Sequence, residues 1–96
     1  MNDYRGVFIF DQALKGDELD TALDAVRGEI EKHGGVLQGT EVLGKRSFAR
    51  SMKKREAGVY ARVDFALDPA KVSLLHERYR LNEHVFRAHV FRKGSL

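Results

Sequence analysis

Residues 59–65, Val-Tyr-Ala-Arg-Val-Asp-Phe, alternate between core-type side chains and side chains suited to an outer surface. Successive side chains of a strand point to opposite faces of a sheet, so this alternation predicts a strand with Val59, Val63 and Phe65 on its buried face. The fold class then depends on the elements that precede and follow this strand.

A strand and a helix are predicted at the start of the chain. Residues 4–10 are rich in β-branched and aromatic side chains and predict a strand that is apolar on both faces. A helix with one apolar stripe is predicted to follow, with Asp17 as its N-cap. The glycine pair 34–35 is expected to end this helix, because a left-handed C-cap suits glycine.

A long extended segment connects this helix to residues 59–65. Residues 36–50 are interrupted by two glycines, which favours a long strand with a bulge or bend. Residues 45–55 contain six basic side chains and no acidic one, so the hairpin is expected to have a basic arm. The six are Lys45, Arg46, Arg50, Lys53, Lys54 and Arg55.

A second helix and a last strand are predicted downstream. Asp68 and Pro69 are typical of a helix start, since Asp caps free N–H groups and Pro is harmless in the first turn. Asn82 is the expected stop. In residues 84–92 the predicted inner face consists of Phe86, Ala88 and Val90, and the outer face of Val85, Arg87, His89 and Phe91.

The element order is therefore β-α-β-β-α-β. This order predicts an α+β fold, the ferredoxin-like sandwich, as one domain over residues 1–96, in which both helices cover one face of a four-stranded antiparallel sheet. The helix side is expected to receive Phe8, Phe10, Val59, Val63, Phe65, Phe86 and Val90. The open side is expected to receive Arg5, Val7, Ile9, Tyr60, Arg62, Arg87, His89 and Phe91.

Composition excludes several classes of protein. The 96 residues include no cysteine, so disulfide frameworks and thiolate metal sites are ruled out. No apolar run approaches the length of a membrane span, and residues 1–5 show neither a secretory nor a transit pattern. We expect no membrane association and no export, which favours a cytoplasmic protein.

Catalytic motifs are also missing from the sequence. His76-Glu77 begins like a zinc-protease helix, but Arg80 stands where the second histidine would be. There is no GxxxxGK[ST], GxGxxG or GxSxG motif, and no credible serine triad. We therefore expect no enzyme activity, no metal, no cofactor and no small-molecule substrate.

The charges are divided unevenly along the chain. Residues 1–43 carry four basic and nine acidic side chains, a net charge of −5, whereas residues 44–96 carry thirteen and five, a net charge of +8. Such asymmetry indicates a polyanionic partner, because neutralised phosphates release counterions. The open face suits RNA through arginines and aromatic rings, or a protein through its apolar patch.

Two other classes stay open on the residues alone. The first is a protein-interaction or regulatory module that self-associates through its open sheet face. The arginines argue against it, because Asp64 is the one acid that the pattern places on that face. The second is an oxygenase of the same fold, which would need a pocket between sheet and helices that the four predicted core phenylalanines fill.

Several segments in order resemble one family. They are Tyr4, residues 34–35, Gly44-Lys45-Arg46-Ser47-Phe48-Ala49, Lys54 with Gly58-Val59-Tyr60, and residues 79–87, Tyr-Arg-Leu-Asn-Glu-His-Val-Phe-Arg. Together they are similar to bacterial small-subunit ribosomal protein number six over essentially the whole chain. At residues 50–52 the chain departs from the family pattern, which usually has an aromatic residue, a proline and an aliphatic residue there.

The resemblance implies a non-enzymatic ribonucleoprotein component that acts in translation. It would bind the central domain of small-subunit ribosomal RNA together with ribosomal protein number eighteen. The predicted RNA-binding residues are Lys45, Arg46, Arg50, Lys53, Lys54, Arg55, Arg80 and Arg87. The predicted partner-binding residues are Arg5, Val7, Ile9, Tyr60, Arg62, His89 and Phe91.

Overall fold

The computed structural model describes residues 1–14, 16–52 and 55–94, and the side chains of all of these except residues 49–52, 55 and 56. Its four strands are β1 (Asn2–Asp11), β2 (Val36–Met52), β3 (Arg55–Leu67) and β4 (Val85–Arg92). Its two α-helices are α1 (Asp17–Lys32) and α2 (Val72–Arg80), the second preceded by a short 3-10 turn, Pro69–Lys71.

The strands form one sheet in the order β2-β3-β1-β4, and each neighbouring pair is antiparallel. The ferredoxin-like arrangement predicted from the element order is confirmed. The two central strands, β1 and β3, come from distant parts of the sequence, and β2 and β4 are the edges. One face of the sheet is covered by both helices, so the other face is left open.

The core lies between the helices and the sheet. Alternate residues of β3 from Val59 to Leu67 are buried there, which confirms the predicted register of residues 59–65. They meet Phe8 and Phe10 of β1 and the apolar stripes of both helices. The helical residues in the core are Ala22, Leu23, Val26, Ile30, Leu75 and Tyr79.

The helix boundaries agree with the sequence except at one cap. The predicted N-cap, Asp17, is instead the first residue of α1; Gly16 precedes it, and no side chain among the described residues caps the helix. The glycine pair ends α1 as predicted, since Gly34 has a φ of 84° and Gly35 donates a 2.9 Å hydrogen bond to the Ile30 carbonyl. Asp68 caps the second helical segment by accepting from the Ala70 N–H at 3.0 Å.

The last strand corrects the predicted core. Phe10 of β1 pairs with Val85, but Ile9 pairs with Arg87, so β4 has one extra residue at this point. This bulge turns Val85 into the core, where it is buried. Phe86, predicted to be core, is only half-buried and lies outside the core cluster. Strict alternation resumes from Arg87 onward.

The long strand β2 is irregular, as its glycines predicted. Its pairing with β3 shifts between Leu37 and Gly39 and again between Val42 and Gly44. Gly44 has a φ of 101°, a backbone conformation that favours glycine. Within the described residues, no helix is long and apolar enough to cross a membrane.

Candidate functional site

The open face of the sheet is built from alternate residues of three strands. Arg5, Val7 and Ile9 of β1 lie directly opposite Asp64, Arg62 and Tyr60 of β3. On the other side they lie opposite Phe91, His89 and Arg87 of β4. Since directly opposite residues share a face, all of the predicted partner-binding residues lie on the open face together with Arg87.

Asp64 is the centre of a cluster of positive charges on this face. Arg5 donates to its carboxylate from Nε, at 2.9 Å, and from Nη2, at 3.3 Å. The Nε atom of Arg62 lies 3.6 Å from the carboxylate, and the Nζ atom of Lys93 lies 3.8 Å from it. The Asp64 side chain is only 13% exposed, so these contacts are partly shielded from water.

These contacts keep the carboxylate ionised. The hydrogen bonds from Arg5 lower the pKa of Asp64, and the nearby positive charges of Lys93 and Arg62 lower it further, against the opposing effect of burial. The same hydrogen bonds raise the pKa of Arg5. The open face is therefore charged at every physiological pH.

The open face holds more acid than the sequence pattern indicated. Glu41 of β2 pairs with Arg62 on this face, and its carboxylate lies 3.9 Å from the guanidinium. Arg5 and Arg62 are thus both accompanied by acids, which weakens the charge argument against self-association. Among the described residues, the side chain of Arg87 makes no hydrogen bond or ion pair, and its charge is not compensated there.

An apolar strip runs beside the charged cluster. Ile9 is only 7% exposed although it lies on the open face, because Gly58 leaves room for it and for Phe48. The ring of Phe48 lies 6.4 Å from that of Tyr60, measured between centroids. At the β4 side Phe91 is 43% exposed. The strip offers apolar contact area with arginines around it.

The predicted RNA-binding residues divide into two groups. Lys45 and Arg46 are exposed on β2, at the hairpin end of the sheet. Lys53 and Lys54 lie outside the described residues, as do the side chains of Arg50 and Arg55.

Arg80 and Arg87 are brought together at the opposite edge of the sheet. Both line a groove of about 610 Å³ between α2 and β4. The side chain of Arg80 also lies 3.8 Å from Glu77 of the same helix. Besides these three residues, the lining consists of Ser73, His76, Tyr79, Val85, Phe86 and Ala88.

Sequence reasoning missed three members of the open face. Glu41 was hidden by the bulges of β2, since two register shifts make the face of each residue unreadable from spacing. Lys93 follows the last strand and reaches Asp64 only because β4 lies beside β1. Phe48 belongs to a segment that resembles the family, but the sequence did not place it on the open face, because its contact with Tyr60 depends on the pairing of β2 with β3.

The chain matches a family model described as ribosomal protein S6 over residues 3–92. It is similar to small ribosomal subunit protein bS6 of Mycobacteroides abscessus, with 38% identity over 99% of both chains. It is also similar to the protein of the same name from Salinispora arenicola, with 35% identity over 96% of both chains.

The fold agrees with a solved structure. The crystal structure of 30S ribosomal protein S6 from Thermotoga maritima superposes with a TM-score of 0.88 at 27% sequence identity. The match covers 96% of this chain and 87% of that one. The sheet, both helices and their order are therefore shared.

Proposed function

Because the chain belongs to the ribosomal protein S6 family, whose members are non-enzymatic proteins of the small ribosomal subunit, we propose that it binds small-subunit ribosomal RNA together with ribosomal protein number eighteen. Membership of the family makes the chain a ribosomal protein rather than an enzyme, and its place is the ribosome of the cytoplasm. The RNA site within the central domain and the protein partner are the parts of the proposal that need testing.

The division of charge supports the RNA part of the proposal. The net charge of +8 on residues 44–96 is concentrated in the basic residues of positions 45–55, and Lys45 and Arg46 are exposed at that end of the sheet. Exposed cations without acidic neighbours in sequence contribute affinity for phosphates whatever the base sequence. We assign the first contact with RNA to this hairpin, with Arg50, Lys53, Lys54 and Arg55 contributing from the same segment.

The open face supports the protein part. Asp64 and Glu41 compensate Arg5 and Arg62, so the centre of this face offers less net positive charge to phosphates than its arginine content suggested. The apolar strip beside them offers the contact area that protein interfaces bury at their centre. We assign the face around Val7, Ile9 and Phe91 to the partner protein and not to RNA.

Co-sedimentation with small subunits tests the proposal as a whole. We expect tagged protein to travel with the small subunit through a sucrose gradient at moderate salt and to be displaced by untagged protein. Protein that stays at the top of the gradient, although folded by circular dichroism, would contradict the assignment. A dimer of the free protein that forms through the open face would favour self-association instead.

The salt dependence of RNA binding tests the role of the hairpin. Replacing Lys45, Arg46 and Arg50 by alanine should flatten the slope of log K against log salt by roughly two units, because each phosphate contact contributes about 0.7 to 0.9. The matched control removes the same charge from the helix side of the molecule, through alanine at Arg27, Lys32 and Lys71. An equal slope for the two triple variants would show that the hairpin makes no special contact.

A further inference from the structure

The edge strand β4 has backbone groups that face away from the sheet. The N–H of Lys93 donates a 2.9 Å hydrogen bond to the carbonyl of Asp3, and the pairing continues without a shift from there to Arg87. Hydrogen-bonded pairs alternate along an antiparallel ladder, so Phe91, His89 and Arg87 also bond to β1. The backbone groups of the residues between them, Ala88 and Val90, point outward.

These outward groups make no bond within the described part of the chain. Neither Ala88 nor Val90 takes part in a hydrogen bond outside the strand ladder. A row of unpaired N–H and C=O groups is a template for another strand, and most proteins blunt such edges with bulges, prolines or charges that point inward. From Arg87 to Phe91 β4 has no bulge, no proline and no charge on the helix side, since its bulge lies before Arg87 and Arg92, opposite Tyr4, comes only at its end.

The opposite edge of the sheet is protected. The pairing of β2 with β3 shifts register three times, and Gly44 adds a left-handed backbone conformation. Bulges twist a strand away from the flat geometry that another strand needs. The two edges therefore differ, and the regular one is β4.

A groove adjoins the regular edge. It lies between β4 and α2, and its floor includes the apolar atoms of Tyr79, Val85, Phe86 and Ala88. A helix beside an open edge strand is the geometry in which extended peptides add a strand to a sheet and place alternate side chains in pockets. The groove can accept the side chains of such a peptide on the helix side.

Charge decides which strand fits. Residues 84–94 contain Arg87, Arg92 and Lys93, two histidines and no acid. Antiparallel pairing of β4 with a second copy of itself would bring arginines close to one another across the new ladder, and like charges so placed are destabilising. An acidic strand would be attracted instead, because its carboxylates would lie across the ladder from Arg87.

We propose that β4 accepts an extended acidic segment of a partner protein as a fifth strand of the sheet, with Ala88 and Val90 supplying the backbone hydrogen bonds. Side chains opposite Arg87 and His89 are acidic, and those opposite Ala88 and Val90 are apolar, the one opposite Ala88 entering the groove. This site is separate from the basic hairpin and shares only Arg87 and His89 with the open face, and its strand-on-strand pairing goes beyond the proposed function.

Amide hydrogen exchange measured by NMR tests the site directly. The probe is a peptide that alternates glutamate with valine and matches the eight residues of β4 in length. In the free protein the amides of Ala88 and Val90 should exchange fast and those of His89 and Phe91 slowly; the peptide should slow the first two. A peptide that alternates lysine with valine should have no such effect.

Two variants sharpen the result. Ala88→Pro removes an outward N–H and should weaken binding of the Glu/Val peptide at least about fivefold while leaving the salt slope of RNA binding unchanged. Arg87→Glu should weaken binding of the Glu/Val peptide and strengthen binding of the Lys/Val peptide. This variant tests the role of charge even if the proline variant does not fold. The slow amides of His89 and Phe91 report whether each variant keeps its sheet.

Three outcomes would overturn the proposal. The first is that no peptide slows the amides of Ala88 and Val90 up to its limit of solubility. The second is that oligouridylate protects these amides in place of the peptide, which would make the groove an RNA site. The third is protection that depends on protein concentration alone, which would make the edge an interface between two copies. Each leaves the salt slope of the hairpin variants unaffected, so the two proposals fail separately.

Discussion

Arg5 of β1 and Asp64 of β3 lie directly opposite each other on the open face and form a two-pronged hydrogen-bonded ion pair. They are 59 residues apart in the sequence. The pair ties the two central strands together and fixes the guanidinium at the place where a partner would meet the sheet. The Asp64 carboxylate also neutralises part of the positive charge that the sequence alone assigns to this face.

Replacing Asp64 by asparagine should reduce the acid sensitivity of the fold. The pKa of Asp64 is lowered in the folded state, so its contribution to stability is complete above the unfolded pKa of about 3.9 and is lost as the pH falls through the lower folded value. Asp64→Asn should therefore be less stable than the wild type near neutral pH, and the difference should shrink below about pH 4. Urea unfolding at several pH values measures it.

Asp20→Asn provides the control for this experiment. It removes the same charge from an exposed position of α1. If both variants show the same dependence of the urea midpoint on pH, the ion pair with Arg5 does not stabilise the fold.

Arg87→Ala should weaken assembly without unfolding the protein. Arg87 is exposed on β4 and its side chain makes no hydrogen bond or ion pair within the described residues, so the thermal midpoint should hardly change. Binding to ribosomal RNA or to the partner protein should weaken by about 1 to 3 kcal/mol, the range for a hydrogen-bonded charged contact. Arg27→Ala on α1 removes an equal charge at a distance. Equal affinities of wild type and Arg87→Ala at matched low salt would remove Arg87 from the interface.

Ile30→Ala should destabilise the domain strongly. Ile30 is fully buried at the end of α1, and the loss of its side chain should cost about 2 to 5 kcal/mol, a large part of the total for a small domain. Leu74→Ala on α2 is the control, because Leu74 is 46% exposed and its removal should change stability by no more than about 0.5 kcal/mol. The urea midpoints of the two variants decide whether the helix faces are placed correctly.

Tyr79→Phe should change the response to alkali. The Tyr79 hydroxyl is buried and donates a 2.7 Å hydrogen bond to the Val26 carbonyl, whose loss should cost about 0.5 to 1.5 kcal/mol. Burial, helped by the charge of Glu29, raises the pKa of Tyr79 in the folded state. Stability from this group is therefore present below the unfolded pKa of about 10 and falls as the pH rises above it.

The variant should lose less stability than the wild type between neutral pH and alkaline pH. Chemical denaturation followed by circular dichroism measures this difference. Parallel pH curves for Tyr79→Phe and the wild type would mean that the hydroxyl ionises as easily in the folded protein as in the unfolded chain.

The sequence was sufficient for the element order and for most of the core. Period-two alternation in residues 59–65 and the apolar stripe of α1 depend only on local geometry, and both were placed correctly. Glycine pairs and an Asp-Pro start also act locally, so the ends of the helices could be predicted to within a residue or two. The family was recognisable for the same reason, since its segments occur in order along the chain.

Bulges limited the prediction. One extra residue in β4 moved Val85 into the core and Phe86 out of it, and nothing in the local alternation marks where such a residue falls. The prediction of the N-cap of α1 was wrong in a similar way, because Gly16 rather than Asp17 is the residue that precedes the first helical turn. Both errors arise where the chain departs from a regular period.

The amino-acid sequence by itself determined the strand and helix order, the segregation of charge and the basic hairpin, because each depends on residues that are neighbours in the chain. Only the tertiary structure decided which charges compensate one another. Asp64 meets Arg5 and Lys93 because β3 and β4 both lie beside β1, and the edge of β4 is open because no fifth strand covers it within the described residues. Long-range pairing brings these groups together, and no local pattern encodes which partners a paired strand will find.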